Sequence, residues 1–542
     1  MLERIKKIKK STWILLGIIL IGIFLRTYHF RDWIYFSSDQ VRDVKLAEKV
    51  ITREEGWPVF GPHMNHADVF VGPMYYYFQI ISGKIFGAGP AQMAYPDLVF
   101  SILSIPLMYF FLKRYFTENL SLALTGLYSI SFFSIQYSRF ALNPNVSPFF
   151  SILFLLALLE FISVGEKTHW KWIISLGVAL GVGIQLHAIT LILFLAITFF
   201  AFIFLMKKNW RTWDKWGIVF LIMIVLNLGQ IVGDARNNFS NTKSFFSQSL
   251  DKSTADSEGT FSENFKSNAD CHIQANFFIA SSLGDEEECT FIYEKLLGNK
   301  SIFYLKKIIK ENPFSLITII LALPFSILGY LLAVYYFKKE KEKKKKYFLG
   351  LIILYAILSF FIMVPVGDWL VMRYFVHLIF VPFILLGLFA NFLAWKFPNK
   401  KIFLILAIFI FFAKANIFSI GSAAKEYLHG RRSHYNYAVL GEIDSALDYM
   451  QEKSLPQKEI YFFGESDSAW TLFGPLKYES KKKNIDLIEV FKPDRINIPV
   501  GKAVFYFRHI SKEGQSPKLD GYTAAKSEQF GQFEVYKLEK TN

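Results

Sequence analysis

Residues 13–25 read WILLGIILIGIFL and residues 216–232 read WGIVFLIMIVLNLGQIV, and neither stretch contains a charged side chain. A helix of about 20 mainly apolar residues is long enough to cross a bilayer. About eleven stretches of this kind predict a polytopic α-helical membrane protein. The predicted spans are residues 12–29, 91–112, 119–137, 147–164, 171–186, 188–206, 216–233, 314–337, 347–366, 374–395 and 402–420.

The positive charge of the chain is concentrated beside these spans. A net charge of +15 would also suit a nucleic-acid-binding surface. The lysines, however, form short clusters next to hydrophobic stretches, as cytoplasmic loops do under the positive-inside rule. We therefore predict a cytoplasmic N-terminus and no nucleic-acid partner. The clusters lie at residues 6–10, 207–208, 338–346 and 400–401.

The first hydrophobic stretch also resembles a secretory signal peptide, because MLERIKKIKK precedes a short apolar core. The residues that follow it, RTYHF at positions 26–30, contain no small-residue cleavage site. An uncleaved first span is therefore predicted, in a multi-pass protein of the plasma membrane.

The pair of spans at 171–186 and 188–206 decides the topology, because reading the pair as one span would reverse every later segment. Two spans keep all the lysine clusters on the cytoplasmic side, so the charge pattern favours two. Three large pieces then lie outside the membrane. They are a first loop at about 30–90, a loop at about 234–313, and the tail from about 421.

The tail has the pattern of a folded domain. Apolar residues recur with a helical period over 437–450, and short alternating stretches predict strands. We predict a membrane domain at residues 1–420 and a small extracytoplasmic α/β domain at 421–542. The predicted strands lie at residues 460–463, 487–491, 503–507 and 533–538.

The two cysteines of the chain, Cys271 and Cys289, both fall in the predicted outer loop at 234–313. Two thiols in one outer loop form a disulfide if the compartment is oxidising, and remain free thiols otherwise. We expect the bridge.

Two carboxylates follow the first span, in the sequence Ser37-Ser38-Asp39-Gln40-Val41-Arg42-Asp43. Apolar residues continue this segment with a helical period, which predicts a helix that begins near Asp39. Asp39 and Asp43 are four residues apart and therefore share one helix face. Such a pair provides a general base or binds a cation. The alternative is that Asp39 only caps the helix.

Four basic residues lie at the predicted outer ends of spans, against the positive-inside bias: Arg139, His187, Arg236 and Arg373. Arginine suits bidentate phosphate binding, and a phosphate-bearing lipid presents its phosphate at this depth. A shared anionic ligand is therefore predicted. The alternative for each residue is snorkelling or a head-group contact, and for His187 a bond to a backbone carbonyl.

The first loop also contains Gly61-Pro62 and the run Gly72-Pro73-Met74-Tyr75-Tyr76-Tyr77. The Gly-Pro pairs predict turns. The tyrosines fit an interfacial aromatic belt or could stack against a sugar. No plausible helix or strand of the sequence is preceded by a motif for zinc binding, a phosphate loop, a dinucleotide or a nucleophilic serine. An enzyme with this sequence must therefore take an activated substrate that is already outside.

Several of these segments together resemble a known group, the GT-C glycosyltransferases, and within it the protein O-mannosyltransferase and aminoarabinose-transferase-like branch. The resemblance covers residues 10–400 in layout. It rests on a first span followed by Asp39, on the Gly72–Tyr77 run, on Arg139 with Asn143-Pro144-Asn145, and on Arg373-Tyr374-Phe375 with Pro382.

The resemblance implies an inverting hexosyl or pentosyl transferase that uses a polyprenyl-phosphate-linked sugar. The acceptor is then a lipid, a glycan or a protein, and the bilayer lipids are further partners. Asp39 takes the position of the family's first-loop carboxylate, and Arg373 that of a phosphate ligand. Many members have Asp-Glu where this chain has Asp39-Gln40, so Asp43 is the candidate second carboxylate. A divalent cation is a candidate cofactor.

Two other classes of protein fit part of the sequence. A transporter or lipid flippase would be polytopic, but it favours ionisable groups near the middle of the membrane and broken helices. Here the predicted spans are free of such groups, and the charges collect at one face. A structural or sensory membrane protein would account for the C-terminal domain, but not for Asp39 and Arg373.

Overall fold

The structure is a computed structural model that describes residues 9–64, 69–250, 260–284, 313–429, 438–464, 469–490, 498, 501–510 and 522–540. It is a bundle of apolar helices with a small sheet domain at one end, so the predicted fold class is confirmed. By length and composition, seven helices in the described ranges could cross a membrane, or nine if two bent pairs each count as one span.

The first half of the bundle contains, in chain order, α1 Lys10–Thr27, α2 Ser38–Ile51, α3 Met74–Phe86, α4 Pro90–Met93, α5 Tyr95–Leu112, α6 Glu118–Ile130, α7 Phe132–Gln136, α8 Ser147–Val164, α9 Trp170–Gly183, α10 Ala188–Lys208, α11 Trp213–Leu226 and α12 Leu228–Arg236. Short 3-10 turns at Asn143–Val146, Gly165–Lys167 and Trp210–Thr212 connect some of them.

The second half contains α13 Ser240–Leu250, α14 Phe261–Ser281, α15 Pro313–Lys339, α16 Lys343–Met363, α17 Val381–Lys396 and α18 Lys401–His429. Two 3-10 segments, Val364–Trp369 and Met372–Leu378, lie between α16 and α17. The second segment meets α17 at a bend of 61°, and α11 meets α12 at 60°.

Every predicted span has a helical counterpart, but several are interrupted or shorter than predicted. The spans at 216–233 and 374–395 contain the two bends. The span at 119–137 is divided into α6 and α7 at Ser131, whose hydroxyl caps α7 by accepting a hydrogen bond from the backbone N–H of Ser134. The span at 171–186 is the short helix α9. Hydrophobicity locates these segments but does not signal where a serine starts a new helix.

The predicted outer loop at 234–313 differs most from the structure. Its described part contains α14, which packs against α15, α17 and α18 inside the bundle. This helix carries buried polar residues such as Asn268 and Gln274, and therefore has no apolar stretch that would mark it as a core helix. Cys271 on this helix is fully buried and disulfide-bonded. Cys289 lies outside the described residues.

The C-terminal domain consists of α19 Leu440–Ser454, β1 Glu459–Gly464, α20 Gly474–Lys482, β2 Asp486–Glu489, β3 Ala503–His509, β4 Tyr522–Phe530 and β5 Phe533–Lys540. A π-helical turn, Ala469–Phe473, precedes α20. The strand order is β2-β1-β3-β5-β4. β1 is parallel to β2 and β3, whereas β5 is antiparallel to β3 and β4. The amphipathic helix and the four predicted strands are present, and β4 was not predicted.

The boundary at residue 420 differs from the structure, because α18 continues to His429. The C-terminal domain also shares its core with the rest of the chain. One hydrophobic cluster joins Val44 and Val50 of α2 to Leu476 of α20 and Phe505 of β3. The end of the bundle that carries α2 and this domain is called the domain side below.

The two Gly-Pro pairs of the first loop lie next to each other, because the segment with Gly61-Pro62 pairs antiparallel with the segment that ends at Val71. A turn is present at Pro73, whereas Gly61-Pro62 is extended, so the predicted turn at the first pair is wrong. The backbone N–H of Gly61 donates to the carbonyl of Val71 at 2.8 Å. A Cβ on Gly61 would lie 2.1 Å from the carbonyl oxygen of Gly72, so only glycine fits at this approach. Gly72-Pro73 leads directly into α3, which carries the tyrosine run.

Candidate active site

The helix that carries the two predicted carboxylates begins at Ser38, and Ser37 is its N-cap. The backbone N–H of Ser37 donates to Oε1 of Gln40 at 3.0 Å, which completes a capping box. Gln40 also donates from Nε2 to the carbonyl of Ala141 at 2.9 Å. The alternative that Asp39 caps the helix is therefore wrong. The role of Gln40 in the capping box accounts for a glutamine at this position.

Arg42 lies between Asp39 and Asp43 and binds both. Its Nη1 is 3.0 Å from Oδ1 of Asp39, and its Nη2 is 2.8 Å from Oδ1 of Asp43. The side chain of Asp39 is 47% exposed, whereas that of Asp43 is only 4% exposed. The two carboxylates share one face as predicted, but only Asp39 is open to a substrate.

Burial raises the pKa of Asp43 to about 6, against the opposing charge of Arg42. The hydroxyl of Tyr76 also donates to Oδ1 of Asp43 at 3.2 Å. Burial and the charge of Asp43 in turn raise the pKa of Tyr76, which keeps that hydroxyl protonated. Asp43 is thus held by two donors and is the carboxylate whose charge changes near neutral pH.

Two of the three tyrosines in the Tyr75–Tyr77 run are buried, so their interpretation as an interfacial belt is wrong for Tyr75 and Tyr76. Tyr75 is 0% exposed and Tyr76 is 6% exposed. The hydroxyl of Tyr75 donates to Oδ2 of Asp97 at 2.8 Å, beside the Asp43–Tyr76 pair. Both rings position carboxylates, because a buried hydroxyl needs a hydrogen-bond partner.

The carboxylate pair does not fit a bridging divalent cation in this arrangement. The guanidinium of Arg42 takes the place between Asp39 and Asp43 where such a cation would bind. Across the described ranges, no three His, Cys, Asp or Glu side chains are grouped so that they could hold a metal ion.

A second polar cluster on the domain side brings together two of the four predicted basic residues. Arg373 and His187 line one narrow cleft of about 10 Å³. In this conformation the cleft admits an oxygen atom of a phosphate and not a whole sugar phosphate. The other lining residues are Pro144, Ser147, Thr190, Tyr374 and His377.

Two helices begin at this cleft. Ser147 is the first residue of α8, and its buried hydroxyl has no hydrogen-bond partner. His187 is the N-cap of α10, and its Nδ1 accepts a hydrogen bond from the backbone N–H of Ile189 at 3.2 Å. That bond leaves the proton of a neutral imidazole on Nε2, where it can be donated to a ligand. Helix N-termini favour anions, so both helices add to the positive potential that Arg373 creates in the cleft.

His377 completes the wall of the cleft in a fixed orientation. Its Nδ1 lies 2.8 Å from the carbonyl oxygen of Tyr374, and its Nε2 lies 2.7 Å from Oγ of Ser359. Because a carbonyl can only accept, Nδ1 carries the proton and Nε2 accepts from Ser359. His377 is therefore already bonded at both nitrogens and contributes shape to the cleft.

The other two predicted basic residues do not line this cleft. Arg236 is exposed at the last position of α12. Arg139 is buried in a different cavity, near Trp33 and Tyr427. Of the four residues, the structure thus brings only Arg373 and His187 together, and their binding of an anion stays a prediction.

One segment of backbone connects the carboxylates to the cleft. Gln40 of α2 donates to the carbonyl of Ala141, and Nδ2 of Asn143 donates to the carbonyl of Leu186, next to His187. Ser147 then begins α8 at the cleft itself. The carboxylate pair and the cleft lined by Arg373 therefore lie on either side of residues 141–147.

Sequence reasoning did not identify Arg42, Asp97, Ser147 or His377. For Arg42 a signal was present, since it is an arginine one and three residues from two carboxylates on a helix. Asp97, Ser147 and His377 lie in mainly apolar segments, and the residues that they meet at the site, such as Tyr75 and His187, belong to other elements. Only the packing brings them to the site.

Known proteins share features with this chain at low sequence identity. Residues 68–229 match the family model described as dolichyl-phosphate-mannose-protein mannosyltransferase. The matched range contains Tyr75, Tyr76, Arg139 and His187, but neither Asp39 nor Arg373. No curated protein matches the chain by sequence.

Two solved structures illustrate the similarity in shape. One is ArnT from Cupriavidus metallidurans bound to undecaprenyl phosphate, with 13% identity, a TM-score of 0.45 and 98% of each chain covered. The other is the archaeal oligosaccharyltransferase AglB from Archaeoglobus fulgidus in complex with an inhibitory peptide and a dolichol-phosphate. Its identity is 14%, its TM-score is 0.45, and the alignment covers 93% of this chain and 70% of that chain.

Proposed function

We propose that this chain is a glycosyltransferase of the GT-C superfamily, and that it transfers a sugar from a polyprenyl-phosphate donor to an acceptor hydroxyl at the outer face of the membrane. The match of residues 68–229 to the mannosyltransferase family model supports this class of enzyme. One observation carries the proposal. A carboxylate pair with an exposed member and an anion cleft lie on either side of the same short backbone segment, at the same end of a membrane bundle.

The cleft supplies what the leaving phosphate needs. Arg373 offers a charged planar fork, His187 offers its Nε2 proton, and the hydroxyl of Ser147 is free to donate. These groups and the two helix N-termini are fixed before the reaction, so they stabilise the negative charge that develops on the phosphate oxygen. Because the phosphate leaves as an anion, the reaction needs no general acid.

Asp39 is the proposed general base on the acceptor side. Its carboxylate is the exposed member of the pair, and Arg42 holds it at 3.0 Å. Asp43 is buried behind Arg42 and pairs with the same guanidinium as Asp39. It therefore positions Arg42 and determines how strongly Arg42 pairs with Asp39. Tyr76 holds Asp43, and Tyr75 holds Asp97 behind this pair.

The proposed reaction is a single displacement. Asp39 takes the proton of the acceptor hydroxyl while its oxygen forms a bond to the anomeric carbon of the sugar. The bond from that carbon to the phosphate oxygen breaks, and its electron pair stays on the polyprenyl phosphate, one oxygen of which the cleft binds. Attack from the face opposite the leaving group inverts the anomeric centre, so an inverting transferase is expected.

The structure favours this function over transport. Among the described residues, the ionisable groups of the proposed site lie at one end of the bundle, while a transporter places them near its middle. The bends between α11 and α12 and before α17 are the features that a transporter would share. A transfer assay separates the two functions.

The direct experiment is a transfer assay in proteoliposomes with radiolabelled polyprenyl-phosphate sugars and a panel of hydroxyl-bearing lipids, glycans and peptides. We expect label on one acceptor class and release of unglycosylated polyprenyl phosphate. Movement of intact sugar lipid across the vesicle membrane, with no cleavage, would instead establish a flippase.

The proposed location requires the domain side to face out of the cell. A reporter fused after Asn542 should be accessible from outside, and one inserted near Lys343 should be inside, because the lysine-rich helix ends are retained in the cytoplasm. Protease protection or labelling of single-cysteine variants in whole cells measures this. Both reporters on the same side of the membrane would refute the proposed topology.

The rate of transfer should depend on pH through Asp43, whose pKa is raised to about 6. As the pH falls through about 6, Asp43 takes up a proton and Arg42 pairs with Asp39 alone. A more strongly paired Asp39 is a weaker base, so transfer should fall on the acid side of pH 6. The measurement is the transfer rate between about pH 4.5 and pH 8, on either side of this pKa. Asp43→Asn is the comparison, and it should lack this acid limb.

Stability provides the control for this pH profile. The folded-state pKa of Asp43 lies above the ordinary value of 3.8. The folded chain therefore binds this proton more tightly than the unfolded chain, and the contribution of Asp43 to stability is lost as the pH rises through about 6. An acid limb at pH 6 is thus not unfolding driven by Asp43. The same acid limb in Asp43→Asn would assign it to another group.

A further inference from the structure

A cavity separate from the anion cleft lies on the domain side, between the ends of α1, α7 and α18. Its open volume is about 70 Å³, and its walls are mainly aromatic and aliphatic. Phe24 on its rim is 59% exposed, as suits a side chain that faces lipid acyl chains. The polar exceptions are concentrated in one place, around Arg139 and Gln136.

Arg139 is 7% exposed, yet only part of its guanidinium is bonded. Its Nη2 donates to the carbonyls of Leu25 at 2.7 Å and Tyr28 at 2.6 Å. Its Nε and Nη1 are buried and have no hydrogen-bond partner. The guanidinium lies 5.5 Å from the centre of the Trp33 ring, and no carboxylate in the described part of the chain is paired with it.

The neighbouring arginine increases the positive charge at this position. Arg26 is fully buried, and it donates to Oγ of Ser101 at 2.9 Å, the carbonyl of Ser129 at 2.7 Å and Oγ of Ser134 at 2.9 Å. These partners are neutral. Within the described ranges, two buried arginines thus lie at one end of an apolar bundle with no carboxylate bonded to either. Buried charges in proteins are ordinarily paired.

Gln136 requires a hydrogen-bond donor, whereas Arg139 requires an acceptor. Its Nε2 donates to the hydroxyl of Tyr35 at 2.9 Å, and that hydroxyl is 3.1 Å from the hydroxyl of Tyr427. The Oε1 of Gln136 is buried and has no partner, so it lacks a donor. A ligand that satisfies this site therefore carries a negative oxygen for Arg139 and a hydroxyl for Gln136.

We propose that this cavity is a binding site for an anionic membrane lipid with a hydroxylated head group, the chemistry of phosphatidylglycerol. Its phosphate pairs with the free nitrogens of Arg139, a head-group hydroxyl donates to Oε1 of Gln136, and an acyl chain lies along the apolar wall beside Phe24. The site shares no lining residue with the Arg373 cleft. The proposal therefore stands independently of the proposed sugar transfer.

The test is photo-crosslinking of the full-length protein in phosphatidylcholine nanodiscs. Each sample contains a small fraction of phosphatidylglycerol or phosphatidylcholine that carries a photoreactive group near the head of one acyl chain. After irradiation, peptide mapping should show several-fold more crosslinks from phosphatidylglycerol than from phosphatidylcholine at residues 24–35 and 420–427. Equal labelling of these segments by the two lipids would overturn the proposal.

Matched variants link the crosslinks to the cavity. Ala424→Phe places a ring into the cavity and should remove most of the labelling. Ser422→Phe adds the same ring to the same helix at an exposed position outside the cavity wall, and should leave the labelling unchanged. Equal effects of these two substitutions would contradict the assignment.

The final arms test the charge and the identity of the lipid. Arg139→Gln should reduce the preference for phosphatidylglycerol to near equality, and the Ala424→Phe result decides the proposal if Arg139→Gln does not fold. Undecaprenyl phosphate, added as a competitor, should not displace the crosslink. Displacement at equal concentration would mean that the cavity binds the prenyl donor, and the proposal would be wrong.

Discussion

Asp39→Asn is expected to lower the rate of sugar transfer by about 10²–10⁴-fold, the usual contribution of a general base. The amide keeps the size of the carboxylate and can still accept a hydrogen bond from Arg42, but it cannot take the proton of the acceptor hydroxyl. Folding and donor binding should be preserved, because the side chain is 47% exposed and is not the helix cap. Single-turnover transfer and donor binding, measured separately, test this.

Two comparison variants make the result specific to Asp39. Ser37→Ala removes the N-cap of the same helix and should cost about 1 kcal/mol of stability with little loss of turnover. Asp43→Asn should reduce transfer less than Asp39→Asn, because Asp43 acts through Arg42. If Asp39→Asn transfers sugar at the unmodified rate, the proposed mechanism is wrong, whatever the family.

Arg373→Ala is expected to weaken use of the lipid donor by ~30- to 150-fold, which corresponds to about 2–3 kcal/mol for a half-buried charged contact to a phosphate. The loss should appear in donor affinity and in the chemical step, since the same contact binds the phosphate and stabilises it as it leaves. Arg373→Lys should restore little, because an ammonium cannot reproduce the planar fork. Initial rates at varied donor concentration measure both effects.

Arg236→Ala is the matched comparison for Arg373. Both residues were predicted from the same pattern, as arginines at the outer ends of spans, but Arg236 is exposed and lies outside the cleft. We expect ordinary donor kinetics for this variant and a normal thermal transition for both. Unchanged donor kinetics in Arg373→Ala would remove Arg373 from the site.

Hydrophobicity and charge clusters were sufficient to predict the bundle, because a span must be apolar along its whole length and lysines mark its cytoplasmic end. Alternating apolar residues likewise predicted β1 and β5. The same reasoning could not find α14, since its buried face is satisfied by polar contacts, such as Asn268 to the carbonyl of Phe360 at 2.9 Å. Those contacts leave no hydrophobic pattern in the sequence.

The candidate site was predictable in its separate parts but not in its assembly. Asp39, Asp43, His187 and Arg373 all stood out as charged or basic residues at the ends of spans. That Arg42 joins the carboxylates, and that Arg139 belongs to another cavity, depends on how α1, α2 and α18 pack. Tyr75 and Tyr76 were misread because an aromatic run at a membrane surface looks the same whether its hydroxyls face water or buried carboxylates.

The hydrophobic cluster that α2 shares with the C-terminal domain has a consequence for biosynthesis. Val44 and Val50 are translated long before their partners Leu476 and Phe505 leave the ribosome. Until then the inner face of the helix that carries Asp39 lacks these partners. A nascent or prematurely terminated chain can insert its helices in the bilayer, yet it lacks the support that holds this carboxylate in place. The packing of the helix that carries Asp39 therefore depends on prior synthesis of the C-terminal domain.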